Sequence, residues 1–143
     1  MPSEFARTAR LARQAGFGGV QIHAAHGFLL NQFLSPLFNR RSDEYAGVIA
    51  HRMRLVLESI DATRAAVGSD FPIAVKLNSS DRLECGFSED DALEVVAALD
   101  RHSARTCQSW LMVLSRGHAD KAQAFHIHVA ERHANVTSRE EVL

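Results

Sequence analysis

With 143 residues, 46% of them hydrophobic, the chain has the size and apolar content of one ordinary globular domain and is not a disordered tail. Its 16 basic and 17 acidic residues give a formal net charge of −1, which excludes a strong field toward nucleic acid or an anionic membrane and points to a neutral or small-molecule partner. Two cysteines, Cys85 and Cys107, are too few for a disulfide framework and match no metal-ligand spacing, so a reducing intracellular compartment is expected.

The first segment, Met1-Pro-Ser-Glu-Phe5, has no basic leader before an apolar run. No apolar run approaches the roughly 20 residues that span a bilayer, and the expectation is a soluble, cytoplasmic protein. Ser3 can cap a helix over residues 4–15, with Phe5, Ala9 and Ala12 recurring at helical spacing and Gly16 placed to end it in a left-handed conformation. Gly18 and Gly19 lead into a short buried strand, Gly19 to Ile22, and a helix followed by a strand is the second half of a βαβ unit. Because parallel strands are joined by crossover helices, a chain starting on such a helix is expected to be cut from a longer fold.

Leu29 to Leu34 are apolar enough for a short helix, stopped by Ser35-Pro36. Asn39 to Gly47 is polar and reads as an ordered loop. A helix is predicted from Ile49 to Ala66, with Met53, Val56, Leu57, Ile60 and Val67 on one face and Gly68 beyond its end. Phe71-Pro-Ile-Ala-Val-Lys-Leu77 is a nearly continuous apolar strand, as in a parallel sheet covered on both faces, with Lys76 as the exception. Ser88-Glu-Asp-Asp91 resembles a capping box opening a third long helix lined by Ala92, Val95, Val96 and Leu99. Beyond Asp100 the periodicity degrades: Trp110 to Leu114 suits a strand and Ala119 to Ala134 a His-rich helix, with no role assigned to either.

Two features carry chemistry. His23 and His26 stand where the first strand ends and a loop begins. Two imidazoles there can donate hydrogen bonds to one ligand oxygen, bind a metal, serve in proton transfer, or simply satisfy neighbouring backbone groups. A metal needs a further ligand of defined geometry, which Asp43, Glu44 or another His could supply but no spacing demands. Lys76, near the end of an apolar strand, can place a positive charge beside an anionic ligand or can reach past the sheet rim to solvent. The two arginines and two carboxylates of residues 39–47 read as a solvated or self-paired turn.

The run Ala15-Gly-Phe-Gly-Gly-Val-Gln-Ile-His23-Ala-Ala-His26-Gly-Phe28-Leu-Leu-Asn-Gln-Phe-Leu-Ser-Pro36, then Asn39-Arg-Arg-Ser-Asp-Glu-Tyr45, then Phe71-Pro-Ile-Ala-Val-Lys76-Leu-Asn78, resembles the old yellow enzyme family of FMN-dependent NADH:flavin oxidoreductases and ene-reductases. Several long motifs in the right order, across about Ser3 to Asp100, carry this resemblance. It implies an α/β fold that is a fragment of a (β/α)8 TIM barrel, about strands 4 and 5 with flanking helices, with FMN at the carboxyl ends of the strands. It divides the chain into a partial barrel segment, 3–100, and a divergent tail, 101–143, of uncertain structure.

The resemblance also implies roles. His23 and His26 match the pair that hydrogen-bonds a substrate carbonyl or nitro oxygen, and Lys76 matches the basic residue beside the flavin N1 and O2 edge. The implied reaction is NAD(P)H-driven hydride transfer from reduced flavin to an activated alkene or related electrophile, with fixed donors stabilising the charge on the substrate oxygen. No resident metal is implied, and neither nucleic acid nor membrane. The implied partners are a small electrophile and, through open sheet edges, another chain or a homo-oligomer.

Three departures stand out. Phe28 occupies the place of a tyrosine that in many relatives protonates the α-carbon, and phenylalanine has no transferable proton. Ala46-Gly47 and His51 replace the usual Gly-Gly pair and a later Asn, and Ala46 matters only if its φ must be positive. The family barrel needs roughly 250 residues, of which the matching part supplies about two strands. The alternative expectation is therefore a truncated, non-catalytic fragment that cannot hold FMN by itself, its residues 101–143 out of register with the family.

Overall fold

In the computed structural model, residues 1–106, 110–116 and 125–129 are described. The chain opens with α1, Pro2–Gln14. Met1 and not Ser3 is its N-cap, because Pro2 takes the first helical position, where its fixed φ suits the helix and no N–H is needed. Gly16 follows the helix with φ 85°, the left-handed stop its position predicts. Strand β1, Val20–Ala24, begins where Gly19 runs against Pro72. A Cβ on Gly19 would lie 3.1 Å from the Pro72 carbonyl oxygen, and the Val20 N–H donates to that same oxygen at 3.1 Å.

Helix α2, Leu29–Leu34, ends before Pro36 as expected. The predicted long helix is present in two pieces, α3 (Ile49–Arg52) and α4 (Arg54–Val67), with Met53 between them. Met53 keeps helical φ and ψ, and Met53 N–H to Ile49 O (2.9 Å) and Leu57 N–H to Met53 O (3.1 Å) bracket it. Gly68, at φ 75°, turns the chain into β2, Ile73–Ser80. Helix α5, Glu89–Thr106, opens on the predicted capping box. The Asp91 N–H donates to Ser88 Oγ at 3.0 Å and the Ser88 N–H to Asp91 Oδ2 at 3.2 Å.

Strand β3, Trp110–Arg116, contains the strand expected at 110–114, and β4 is Phe125–Val129. The latter corrects the expectation of a helix over 119–134: residues 125–129 pair with β3 as a strand, since a non-local partner overrides a weak local period. The sheet order is β1-β2-β3-β4. The first three strands are parallel, with α2–α4 and then α5 in the crossovers, and β4 is antiparallel to β3. The sheet thus has a third parallel strand besides the two that the resemblance covers, and β4 departs from the all-parallel order of a (β/α)8 barrel.

The helices meet one face of the sheet. Ile22, Ala24, Ile73, Val75 and Leu77 are buried there with Val56, Ile60 and Val95 from α4 and α5. The residues between them, Gln21, His23, Ala74 and Lys76, are half-buried or exposed. Strand β2 therefore alternates, in place of the burial on both faces that its apolar run predicts. The same alternation puts His23 and Lys76 on the sheet face away from the helices.

Arg52 of α3 ties together the end of α2, the loop before α3 and the first turn of α5. Its guanidinium donates to the Gly47 carbonyl at 2.9 Å and to the Leu34 carbonyl, and forms an ion pair with Asp91 at 2.9 Å. Among the described residues, no helix is long and apolar enough to cross a membrane.

Candidate functional site

The two candidate groups of highest interest are brought together by strand register. Strands β1 and β2 are parallel with Val20 opposite Ile73, so His23 lies directly opposite Lys76. His23 is inside the strand, one residue before its end, and His26 follows in the turn. Their rings sit 5.2 Å apart between centroids at 84°, an edge-to-face pair. Phe28 adds a ring 4.8 Å from that of His23, and is itself 59% exposed. The Phe28 departure thus lies within the histidine site.

The electrostatics of His23 follow from its neighbours. The Ala25 N–H donates to His23 Nδ1 at 3.2 Å. A ring nitrogen that accepts carries no proton, so neutral His23 bears its proton on Nε2 and offers that atom as a donor. Burial lowers the pKa of this imidazole below its usual 6.5, and the positive charge of Lys76 lowers it further. Near neutral pH the group is an uncharged donor of fixed tautomer, suited to an oxygen that gains negative charge. Lys76 is half-buried on the sheet face.

His26 is held differently. Its φ is 58° and that of Gly27 is 76°, two successive left-handed residues. The His26 N–H donates to Asn78 Oδ1 at 3.1 Å and the Gly27 N–H to Asn31 Oδ1 at 2.7 Å. Neither asparagine is among the sequence-derived candidates. The available signal was a polar residue on an otherwise apolar element: Asn31 and Asn78 are only 1% and 3% exposed.

The loop at 39–47 is the self-paired turn its charges predict. Arg41 forms an ion pair with Asp43, and its guanidinium lies over the rings of Phe33 and Tyr45, 5.3 Å and 6.0 Å from their centroids. The Arg41 hydrogen bond holds the Asp43 carboxyl below its usual range. Asn39 Nδ2 ties the loop by donating to the carbonyls of Phe33 and Tyr45, both at 2.7 Å. The positive φ falls on Gly47, at 83°, and not on Ala46, so the alanine is accommodated. Asp43 and Glu44 do not join the histidines in a metal centre: among the described residues, no group of three or more His, Cys, Asp or Glu is placed to hold a metal ion.

Known proteins resemble the chain in sequence and in fold. A family model described as "NADH:flavin oxidoreductase / NADH oxidase family" matches residues 1–142, and so continues past the motif-bearing residues 3–100. The NADH-dependent flavin oxidoreductase iliE of Neonectria sp. is 54% identical over 79 residues, covering 55% of this chain and 10% of that protein. Among solved structures, a 2-naphthoyl-CoA reductase in complex with 2-naphthoyl-CoA matches with TM-score 0.72 at 28% identity, covering 82% of this chain and 17% of the other. Old yellow enzyme from Pichia sp. matches with TM-score 0.66 at 31% identity, covering 75% and 30%.

The chain spans between 10% and 24% of the length of curated relatives that it matches. Its parallel strands and helices are similar to part of the TIM barrel of the old yellow enzymes. A parallel β-α-β-α-β unit, matched by the family model over nearly the whole chain, leads to one conclusion: the chain belongs to the NADH:flavin oxidoreductase / NADH oxidase family and is similar in structure to old yellow enzyme.

Proposed function

We propose that this chain forms the substrate-oxygen side of an FMN-dependent oxidoreductase site of the old yellow enzyme type, in which NAD(P)H is the electron source and an activated alkene or related small electrophile is the substrate. In the family frame β1 corresponds to the fourth barrel strand and β2 to the fifth. The observation that carries the reading is the opposition of His23 and Lys76 on adjacent parallel strands, on the face away from the helices, with His26 beside His23.

The donor set fits the group. A lysine charge suits the electron-rich N1 and O2 edge of a flavin, and a neutral imidazole with its proton on Nε2 suits an anionic oxygen. FMN supplies the hydride when it is bound. His23 and His26 donate hydrogen bonds to the substrate's carbonyl or nitro oxygen and stabilise its charge as it forms, an effect of order 10²- to 10³-fold in rate per donor. Lys76 would hold the flavin edge. Phe28 packs on His23 and covers it without offering a proton, so the α-carbon takes its proton from another group or from water. A reducing, cytoplasmic setting accords with the free, exposed thiol of Cys85.

A second reading rests on the sheet edge. Among the described residues, the strand order ends at β1, so the outer edge of β1 is open to another strand. On that reading the polypeptide by itself does not hold FMN, and associates through this edge instead. Titrating FMN into the purified chain distinguishes the two. A perturbed flavin absorption spectrum, with NAD(P)H oxidation that falls at least tenfold in His23→Ala, supports the flavin site. An unperturbed spectrum removes the flavin site from this polypeptide and leaves its family membership untouched.

A further inference from the structure

We propose that Asp81 is a positioning residue for His26, acting through the side-chain amides of Asn78 and Asn31; its consequence for catalysis rests on the reading of His26 as a donor to the substrate oxygen. Three elements converge on the turn after β1. Asn78 comes from the end of β2, Asn31 from α2, and Asp81 from the loop that joins β2 to α5.

A residue with a side chain does not hold a left-handed conformation unless its surroundings impose it. At His26 and Gly27 the imposing groups are the two amide oxygens, each accepting one of two consecutive backbone N–H groups. Gln32 Nε2 donates to the Gly27 carbonyl at 2.7 Å from the exposed side. Turning His26 out of this conformation would break the Asn78 bond and swing its imidazole away from His23.

An asparagine amide, however, can present either its oxygen or its NH2 in the same place. Were Asn78 or Asn31 to turn over, an NH2 would face a backbone N–H, two donors with nothing to accept them. Asn31 Oδ1 also accepts from Asn78 Nδ2, at 3.4 Å, and Asp81 removes the ambiguity for both amides together. An ionised carboxylate only accepts, and Asp81 Oδ1 takes Asn78 Nδ2 at 3.2 Å and Asn31 Nδ2 at 3.4 Å. Both NH2 groups are drawn to the carboxylate, and both oxygens are left facing the turn.

Asp81 is itself anchored. Its N–H donates to the Phe87 carbonyl at 2.8 Å, its Oδ2 accepts the Phe87 N–H at 3.0 Å, and the Phe87 side chain is 1% exposed. Gly86 leaves room for it: a Cβ there would lie 3.1 Å from Asp81 Cβ. Order therefore passes from a core phenylalanine, through one carboxylate and two amides, to the backbone of His26.

The test is amide hydrogen exchange and imidazole NMR on the purified chain without flavin, in the wild type, Asp81→Asn and Asp81→Glu. Exchange at His26 and Gly27 is expressed relative to Val75 and Leu77 of β2 in the same sample, so that any global loss of stability cancels. Asp81→Asn keeps the shape but can donate. It should raise relative exchange at both turn amides by about tenfold and move the His26 imidazole shifts, whereas Asp81→Glu, still acceptor-only, should keep more of the protection.

Packing alone predicts the reverse order, because asparagine has the shape of aspartate and glutamate is longer. Unchanged relative exchange in Asp81→Asn, or better retention there than in Asp81→Glu, overturns the proposal. Should the Asp81 variants not fold, Asn78→Ala removes the oxygen on His26 and leaves the Asn31 oxygen on Gly27 in place. Relative exchange must then rise at His26 more than at Gly27, and equal changes overturn the proposal. None of these measurements needs FMN, so failure of flavin binding and failure of the positioning network are seen separately.

Discussion

Removing the Asp91 carboxylate isolates what a buried charge contributes to this fold. Asp91 pairs with Arg52 at 2.9 Å, and the two side chains are only 16% and 7% exposed. In Asp91→Ala the guanidinium stays buried with the Gly47 and Leu34 carbonyls as acceptors, but with no counter-charge from Asp91. Leaving one member of a buried pair typically costs 3–5 kcal/mol, and the two remaining carbonyls place the expected loss near the lower end, about 3 kcal/mol. Loss of the Asp91 half of the capping box adds to it.

Urea unfolding, with the denaturant slope unchanged, measures this as a lowered midpoint. The effect should persist at high salt, because a buried pair is poorly screened. Asp43→Ala is the control. Its ion pair with Arg41 lies on the surface, and its loss should lower the midpoint far less. Adding Arg52→Met to Asp91→Ala should restore part of the loss, because the stranded charge is gone, but not all, because two backbone carbonyls lose their donor. A cost for Asp91→Ala below about 1 kcal/mol, or one that vanishes at high salt, would show that the pair behaves as an exposed one and refute the reasoning.

Other outcomes follow from the same geometry. By NMR the His23 imidazole should titrate below 6.5, and Lys76→Met should raise its pKa only partway back, because burial is the larger cause and remains. Since the folded state depresses this pKa, the associated stability is fully present above 6.5 and is lost as pH falls from there toward the folded value; melting temperatures of the wild type and His23→Gln should diverge from each other in that window. Gly68→Ala, at φ 75° and with the Arg13 Nη1 3.1 Å from the new Cβ, should destabilise by about 1–2 kcal/mol, while Gly18→Ala, with open space around it, should not. In flavin-loaded protein, Phe28→Tyr should speed alkene reduction by placing a phenol beside His23; no increase would mean that this position does not reach the α-carbon.

Much of the fold was legible in local patterns. The buried faces of α1, α4 and α5 carry the apolar residues whose period announced them, Ala9, Val56, Ile60, Val95 and Leu99 among them. The capping box at Ser88 and the glycine stops at 16 and 68 stood in the chain as local rules require. Residues 125–129 were misread, because a strand is stabilised by a partner distant in sequence and not by its own period. Ser3 was misread because Pro2 moved the helix start by two residues.

The candidate site divides in the same way. His23, His26 and Lys76 stood out as candidate residues near strand ends and through the motifs around them, and those motifs alone were enough to identify the family. The face they occupy, the tautomer of His23 and the grip on His26 belong to the tertiary structure. His26 and Asn78 are 52 residues apart, Asn78 and Asn31 47 apart. Such pairs meet only once parallel register has set β1 beside β2, and a histidine becomes a neutral, aimed donor only in the field and hydrogen bonds of the neighbours that register brings.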